Sequence, residues 1–522
     1  MKKALFILFF FLVILVTIRY LIADTGLFFA FDYLKNKIDI DTTANQVSIQ
    51  NRKIDNSNYQ YLFEDIKGTK HEYNNPINTY EINKLQLSET DSWIRSNGGN
   101  FSNKFSNLQN INLKNIKDLG LYYKINLNDG IIKKKWMNNV ETNPIFYEGV
   151  LFFVTPFKEL IAFNIKEKKI LWKFKSLKKI DSRGISLWIN KENLDSSCIF
   201  VPIRNGLFCI NYKNGKLNSK IGNYGFIKTG IVRAAPVIWN NYVIVATVDS
   251  QKIKYFDLKS GKKAFELSIH PDDRQFKGGS PWGGISIDNK NNLLFLTTGN
   301  PRPALLGSSR KGPNKNANSI IAIDLMKKKI AWSFQEVVHD LWDYDIASPP
   351  LLTTIRINEK LLDVVIVTTK IGNTLIFDRL TGNSFHDIFY NNVPLSDFFQ
   401  EEVSPKQINV KIPEPLIKLE TSINDLDDRI PAEKQNIINN IDNYKFGKFV
   451  PPSFNKDVLV YGLHGGAQWP GGVFNPYTQN VYVQVNQIPW LLKLFVSSNR
   501  KPPENLKYNY ELYIDNCSNC HK

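Results

Sequence analysis

Ile321-Ala322-Ile323-Asp324, then a lysine-rich turn, then Ile330-Ala331-Trp332 is the stretch that decides the fold. Alternating apolar residues pair as strands. An Asp at the end of the first strand closes a tight polar turn, and an indole on the second strand fills the gap between neighbouring sheets. The unit returns as Leu160-Ile161-Ala162-Phe163-Asn164 leading to Ile170-Leu171-Trp172, and as Leu207 to Gly215. It returns again as Ile253-Lys254-Tyr255-Phe256-Asp257 with Ser260-Gly261, and as Leu375-Ile376-Phe377-Asp378 with Thr381-Gly382. The copies are irregularly spaced, by roughly 45 to 70 residues, with no helical pattern between them. Repeated small antiparallel sheets set radially satisfy this pattern, so the chain is predicted to be an all-β propeller; a pair of open β-sheets is the alternative.

Composition agrees with a large folded body. The chain has 522 residues, 43% of them apolar, with 34 Phe, 22 Tyr and 10 Trp, which excludes general disorder. With 29 Gly and 4 Cys it is neither collagen-like nor a disulfide-stapled miniature. The 66 Lys and Arg against 49 Asp and Glu give a formal charge of +17, but no basic block lies beside an aromatic platform, so nucleic-acid binding is unsupported. Anionic lipid or an acidic partner protein is the kind of surface such a charge suits. Met1-Lys2-Lys3 followed by apolar Ala4 to Ile18, Arg19, and a second apolar run Leu21 to Phe31 reads as export chemistry. Residues 1–31 are therefore expected to be a signal peptide or a membrane anchor, and residues 32–90, rich in Asn, Asp and Lys, a linker or loosely ordered arm. The propeller is assigned to residues 91–500.

Four stretches carry residues that packing does not require: Asp181-Ser182-Arg183-Gly184; Gly278 to Gly284 with Thr297-Thr298-Gly299-Asn300-Pro301; His339 to Asp345 with Lys370-Ile371-Gly372-Asn373; and His464 to Gly472. Glycines beside Trp282 and Trp469 permit close backbone approach to something flat. Three acids, Asp340, Asp343 and Asp345, within six residues imply water, cations or chemistry. Together the four stretches suggest a cofactor pocket at the loop ends. No Gly-rich nucleotide fingerprint lies between a strand and a helix, which argues against NAD or FAD.

On the residues Asn318 to Asp345 and the Thr-Thr-Gly-Asn-Pro turn, the sequence resembles the pyrroloquinoline quinone (PQQ) dependent dehydrogenases. The likeness is to the membrane-associated glucose, quinate and alcohol type and to quinohaemoprotein relatives, and it runs from about Trp93 to Pro489. The spacing fits too, with Trp282 18 residues before Asn300 and Lys370 27 residues after Asp343. The resemblance implies an eight-bladed propeller; the strand units counted suffice for about seven blades, so the last is expected to be incomplete. It implies that Trp282 stacks on PQQ, that Asn300 and Asp343 sit at its Ca²⁺, that Asp343 is the general base, and that Lys370 holds quinone oxygens. Arg183 and Trp469 would line the pocket, with His339 and Asp340 as wall or support. Asp249 is the acid available in the loop where the family places a further metal ligand, and a plain turn residue is the competing reading. Gln468 stands where relatives commonly have Asn. A lanthanide in place of Ca²⁺ stays open, because Asp345 holds the offset used by lanthanide enzymes.

The implied activity is oxidation of an alcohol, sugar or polyol hydroxyl. A non-catalytic quinoprotein-like scaffold is the alternative, and a lyase or glycosidase built on Asp340 and Asp343 is a weaker one that leaves Trp282 without a role. Cys517-Ser518-Asn519-Cys520-His521 is the attachment pattern for haem c, with His521 as axial ligand. Glu511-Leu512-Tyr513 before it resembles the opening of small cytochrome c domains, so residues 501–522 are expected to be the start of a truncated one. Electrons would pass through haem c to a respiratory acceptor, a cytochrome c or a quinone, in the periplasm, with the N-terminus in the inner membrane. Cys198 and Cys209 flank a hairpin through Arg204-Asn205-Gly206, compatible with a disulfide or with two buried thiols.

Overall fold

The structure is a computed structural model, and it describes residues 59, 62–68, 92–125, 140–176, 180, 183–357, 360–398, 400–420, 423–425 and 428–494. The expected N-terminal anchor, most of the arm, and the haem motif Cys517, Cys520 and His521 lie outside the described residues. Five antiparallel sheets follow one another along the chain, each a meander of consecutive strands. Sheet one is Ile145–Tyr147, Val150–Val154, Glu159–Asn164 and Lys169–Lys175; sheet two is Ser186–Trp188, Cys198–Ile203, Gly206–Asn211 and Phe226–Lys228. Sheet three is Val237–Trp239, Tyr242–Thr247, Lys252–Asp257 and Lys263–Ser268; sheet four is Ile285–Asp288, Leu293–Thr297, Ser319–Asp324 and Lys329–Gln335. Sheet five has three strands, Leu351–Ile357, Lys360–Thr368 and Thr374–Asp378. Shorter pairs complete the body, among them Ile388–Asn392 with Lys406–Val410 and Val473–Asn475 with Asn480–Tyr482. Among the described residues one α-helix occurs, Pro431–Asn439, and no helix is long and apolar enough to cross a membrane.

The turns form as their residues dictate. The side chains of Asn164, Asp257, Asp324 and Asp378 accept hydrogen bonds from backbone N–H groups three residues on, at 2.7–2.9 Å. Such local bonding sets a tight turn. In sheets one and four the strand before the turn carries Ala opposite the indole, Ala162 facing Trp172 and Ala322 facing Trp332, and the register slips just after the alanine. The small residue leaves room for the ring to lean outward. Trp172 Nε1 then donates to Tyr212 O in sheet two at 3.1 Å, and Trp332 Nε1 to Arg379 O in sheet five at 3.0 Å. Each indole thus ties its own sheet to the next.

Neighbouring sheets pack face to face. One apolar cluster joins sheets one and two through residues such as Leu160 and Ile199, a second joins two and three through Phe200 and Val243, and a third joins three and four through Ile244 and Leu294. Sheets four and five share Phe295 and Val365. Fully burying such a side chain is worth about 1.5–3 kcal/mol, so these seams are the main source of cohesion. Cys198 and Cys209, on adjacent strands of sheet two, are disulfide-bonded and fully buried.

The segment Trp93–Asn103 runs along the first strands of the sheets. It bonds in turn to Phe146, Leu187, Ile287, Leu352 and Phe474. Arg95, 3% exposed, uses all five of its N–H donors, on Pro236 O, Gly99 O, Ser102 Oγ, Ala235 O and Ile285 O. Of the arm, residues 59 and 62–68 are described: Ile66 bridges Ile388, and buried Tyr59 donates to Glu402 at 2.5 Å.

Candidate functional site

Because strands alternate in direction, the chain enters the first strand and leaves the second strand of each sheet at one end. Arg183 precedes sheet two, Trp282 precedes sheet four, and Asp343 and Asp345 precede sheet five; Asn300 follows the second strand of sheet four and Lys370 that of sheet five. Topology alone therefore delivers these side chains to one end of the body.

There the structure joins five of them in one chain of hydrogen bonds. Trp282 Nε1 donates to Asp345 Oδ2 at 2.9 Å, and Lys370 Nζ donates to Asp345 Oδ1 at 2.8 Å and to Asp343 Oδ2 at 2.9 Å. Asn300 Nδ2 donates to Asp343 Oδ1. Asn300, Asp343, Asp345 and Lys370 are all buried. Burial on its own would lower the Lys370 ammonium, but the carboxylates of Asp343 and Asp345 outweigh it and hold the ammonium well above its ordinary value.

Local structure holds each group. Asp343 has φ 65°, a left-handed conformation that needs support. The carboxylate of Asp340 supplies it by accepting from Trp342 N at 2.8 Å and Tyr344 N at 2.9 Å, while Asn318 Nδ2 donates to its Oδ2 at 3.0 Å. Burial, then the neighbouring Asp343 and Asp345 charges, push Asp340 up to about 7. His339 (φ 51°) is buried and bonds to Gly312 O through Nδ1.

Two glycines show what the Gly-rich loops are for. A Cβ on Gly299 would stand 2.6 Å from Trp282 Nε1 and 2.8 Å from Asp345 Oδ2. One on Gly466 (φ 61°) would stand 2.0 Å from Lys370 O. In this structure the close approach that the glycines allow is made between protein loops.

Arg183 completes the rim. Its guanidinium lies 4.6 Å from the Trp282 ring and 5.4 Å from the Trp469 ring, and its Nε bonds to Glu141 at 3.1 Å. Both indoles are half-buried. A planar cation resting on two indoles marks a place where a flat group is accommodated. Gln468 spends its amide on Gly465 O at 2.7 Å, inside its own loop.

Asp249 is not brought into this network. It is exposed, and its carboxylate accepts from Ile231 N at 3.1 Å and packs on Gly230. It leaves the second strand of sheet three at the same end of the body, but its bonding is local. Among the described residues no group of three His, Cys, Asp or Glu is placed to hold a metal ion. Asp345, by contrast, is the acceptor that links Trp282 to Lys370, a role that sequence spacing offers no means of assigning.

Comparison with known proteins adds a family. The profile of the PQQ glucose/ethanol/alcohol dehydrogenase β-propeller domain matches residues 93–515. The quinoprotein glucose dehydrogenase of Escherichia coli is 25% identical over 462 residues, which cover 77% of this chain and 57% of that protein. The quinohemoprotein alcohol dehydrogenase of Comamonas testosteroni is 24% identical, over 57% of this chain and 46% of that one. The chain thus spans about half the length of these curated relatives. Among solved structures, a quinohemoprotein alcohol dehydrogenase from Pseudomonas putida superposes with a TM-score of 0.56 at 19% identity, over 82% of this chain and 62% of that one, a likeness of fold.

Proposed function

The chain belongs to the PQQ-dependent glucose, ethanol and alcohol dehydrogenase β-propeller family, and from that membership we propose that it oxidises a hydroxyl of an alcohol, sugar or polyol. The observation that carries the reading is the convergence of Trp282, Asn300, Asp343 and Lys370, drawn from sheets four and five, into one hydrogen-bonded group. The residues present fit PQQ: two indoles and a guanidinium suit a flat anionic ring system, and a buried ammonium suits its oxygens. For the ion beside it, the side-chain oxygens of Asn300 and Asp343, two residues in hydrogen-bond contact, are hard donors that suit Ca²⁺ or a lanthanide. Exposed Asp249 is left out of the proposed set.

When bound, PQQ supplies an electrophilic quinone carbon that accepts hydride, with the cation as Lewis acid. The chain's own residues do the rest. Asp343 takes the hydroxyl proton on a carboxylate oxygen, a general-base contribution of about 10²–10⁴ in rate. Lys370 keeps positive charge in a buried place where developing negative charge is stabilised. Asp345 positions both Lys370 and Trp282, and Asp340 holds the turn that presents Asp343. Delivery of electrons through haem c at Cys517, Cys520 and His521 to a respiratory acceptor, in the periplasm, follows from the same reading.

Reconstitution with PQQ and CaCl₂ tests the proposal. Uptake of PQQ with quenching of tryptophan emission, followed by dye reduction on a panel of alcohols and sugars, is the expected result. Absence of PQQ uptake by folded protein would favour the non-catalytic scaffold.

A further inference from the structure

Topology that gathers the site at one end sends other turns to the opposite end. The hairpins joining the third and fourth strands of sheets one to four lie there, and each carries three exposed lysines, within residues 166–169, 213–220, 259–263 and 326–329. Those four stretches contain one acid, Glu167. Asp257 and Asp324, which open two of the turns, accept from backbone N–H groups, and three of the twelve lysines, Lys169, Lys263 and Lys327, pair with Glu167, Glu266 and Asp324. The charge is therefore a ring spread over four successive sheets, not a run in one place.

Apolar side chains stand at the same end. Met326 is 65% exposed, Leu380, in the corresponding turn of sheet five, 59%, and Tyr224, beside the fourth strand of sheet two, 77%. No arginine is exposed in the four lysine turns. Arginine forks favour discrete carboxylate or phosphate partners, whereas lysines are mobile point charges suited to a smeared anionic field. Lysines ringed around a face together with protruding Met, Leu and Tyr match the chemistry of a bilayer interface: charge draws the face to anionic headgroups and the apolar tips enter the boundary layer.

We propose that the face opposite the candidate site, formed by the third-to-fourth-strand turns, docks on an anionic lipid surface and leaves the site open to water. Each lysine near such a surface is worth about 1 kcal/mol, roughly fivefold in partitioning, so that four turns acting together hold the face down with no single tight contact. The docking is independent of the proposed oxidation.

The test uses the full chain on phosphatidylcholine vesicles with and without phosphatidylglycerol, followed by hydrogen–deuterium exchange. Any insertion of the apolar N-terminal residues takes place on both kinds of vesicle, so the readout is confined to the turns at 211–225 and 324–331. Slower exchange there on phosphatidylglycerol vesicles alone is expected, with the protection lost at about 0.5 M salt, where the screening length falls to roughly 4 Å. Lys327→Glu, Lys328→Glu and Lys329→Glu combined should abolish protection at 324–331, and Lys213→Glu with Lys216→Glu, in a different sheet, should do so at 211–225, with the melting temperature unchanged. Equal exchange on both vesicles overturns the proposal, and so does protection by polyglutamate without protection by anionic vesicles, which would assign the face to an acidic polypeptide.

Discussion

Replacing Asp345 by Asn leaves a side chain of the same shape but removes the charge that Lys370 and the Trp282 indole share. Lys370 then pairs with Asp343 alone, and a carboxylate bearing a whole ammonium is a weaker base. The expected outcome is a fall of about tenfold to a hundredfold in kcat with PQQ still bound, read as turnover against tryptophan quenching. Asp343→Asn should lower turnover further, while Asp249→Ala should leave cofactor uptake unchanged. A second effect at this scale is thermodynamic. Glu336 is pushed up to about 8 by burial, against hydrogen bonds from Asn373 and Thr369. A carboxyl raised in the folded state binds protons there that the unfolded chain has released, so stability falls as pH rises from about 4.5 to about 8. Glu336→Gln is expected to melt above the parent at pH 8, with the gap closing by about pH 5. Lys370 follows the same sign in a higher window: its stabilisation is intact below about 10.5 and is lost only at still higher pH.

At the scale of the element, the hairpin was legible and its docking was not. Alternation followed by Asp or Asn specifies strand and turn from local bonding alone, so Ile321–Trp332 reads correctly without knowledge of the neighbours. That Trp332 reaches Arg379 O, 47 residues away, depends on the small Ala322 opposite it and on the next sheet being in place. Gly382, with φ 73°, lies under that ring, and a Cβ there would stand 2.6 Å from Trp332 Cδ2. Gly149 has φ 76° and open space around it. Gly382→Ala should therefore cost about 2–4 kcal/mol and Gly149→Ala about 1 kcal/mol, and the difference between the two melting curves measures the indole contact. The site divides in the same way. Trp282, Asn300, Asp343 and Lys370 were singled out through the family resemblance and the spacing that fits it, whereas Asp345 acts on Trp282 across 63 residues that no local pattern spans. Asp249, nominated from the loop where the family places a further acid, occupies a strand end equivalent to that of Lys370, two residues past a strand-terminal Thr, and its carboxylate bonds to Ile231 N.

At the scale of the whole molecule, Arg95 ties together separate parts of the body. Its five acceptors come from its own segment, from the approach to sheet three, and from sheet four. Among the described residues its bonds go to carbonyl oxygens and one hydroxyl and to no carboxylate. Arg95→Met would leave those acceptors buried and unpaired, at a cost of about 3–5 kcal/mol, visible as a lowered midpoint in urea. Lys in its place would reach too few of them to restore the loss.

The Trp93–Asn103 segment has a consequence in time as well as in space. Asn103 O accepts from Phe474 N, a residue synthesised roughly 370 positions later. At ribosomal speeds of about 5–20 residues per second, its last partner emerges some 20 to 70 s after it does. Through that interval the Asn103 carbonyl waits for its partner, although the partners of Trp93, Ile94, Asn100 and Phe101 and the acceptors of the Arg95 guanidinium all emerge sooner. The seam can thus close only in stages, from Phe146 to Phe474, as its partners are made.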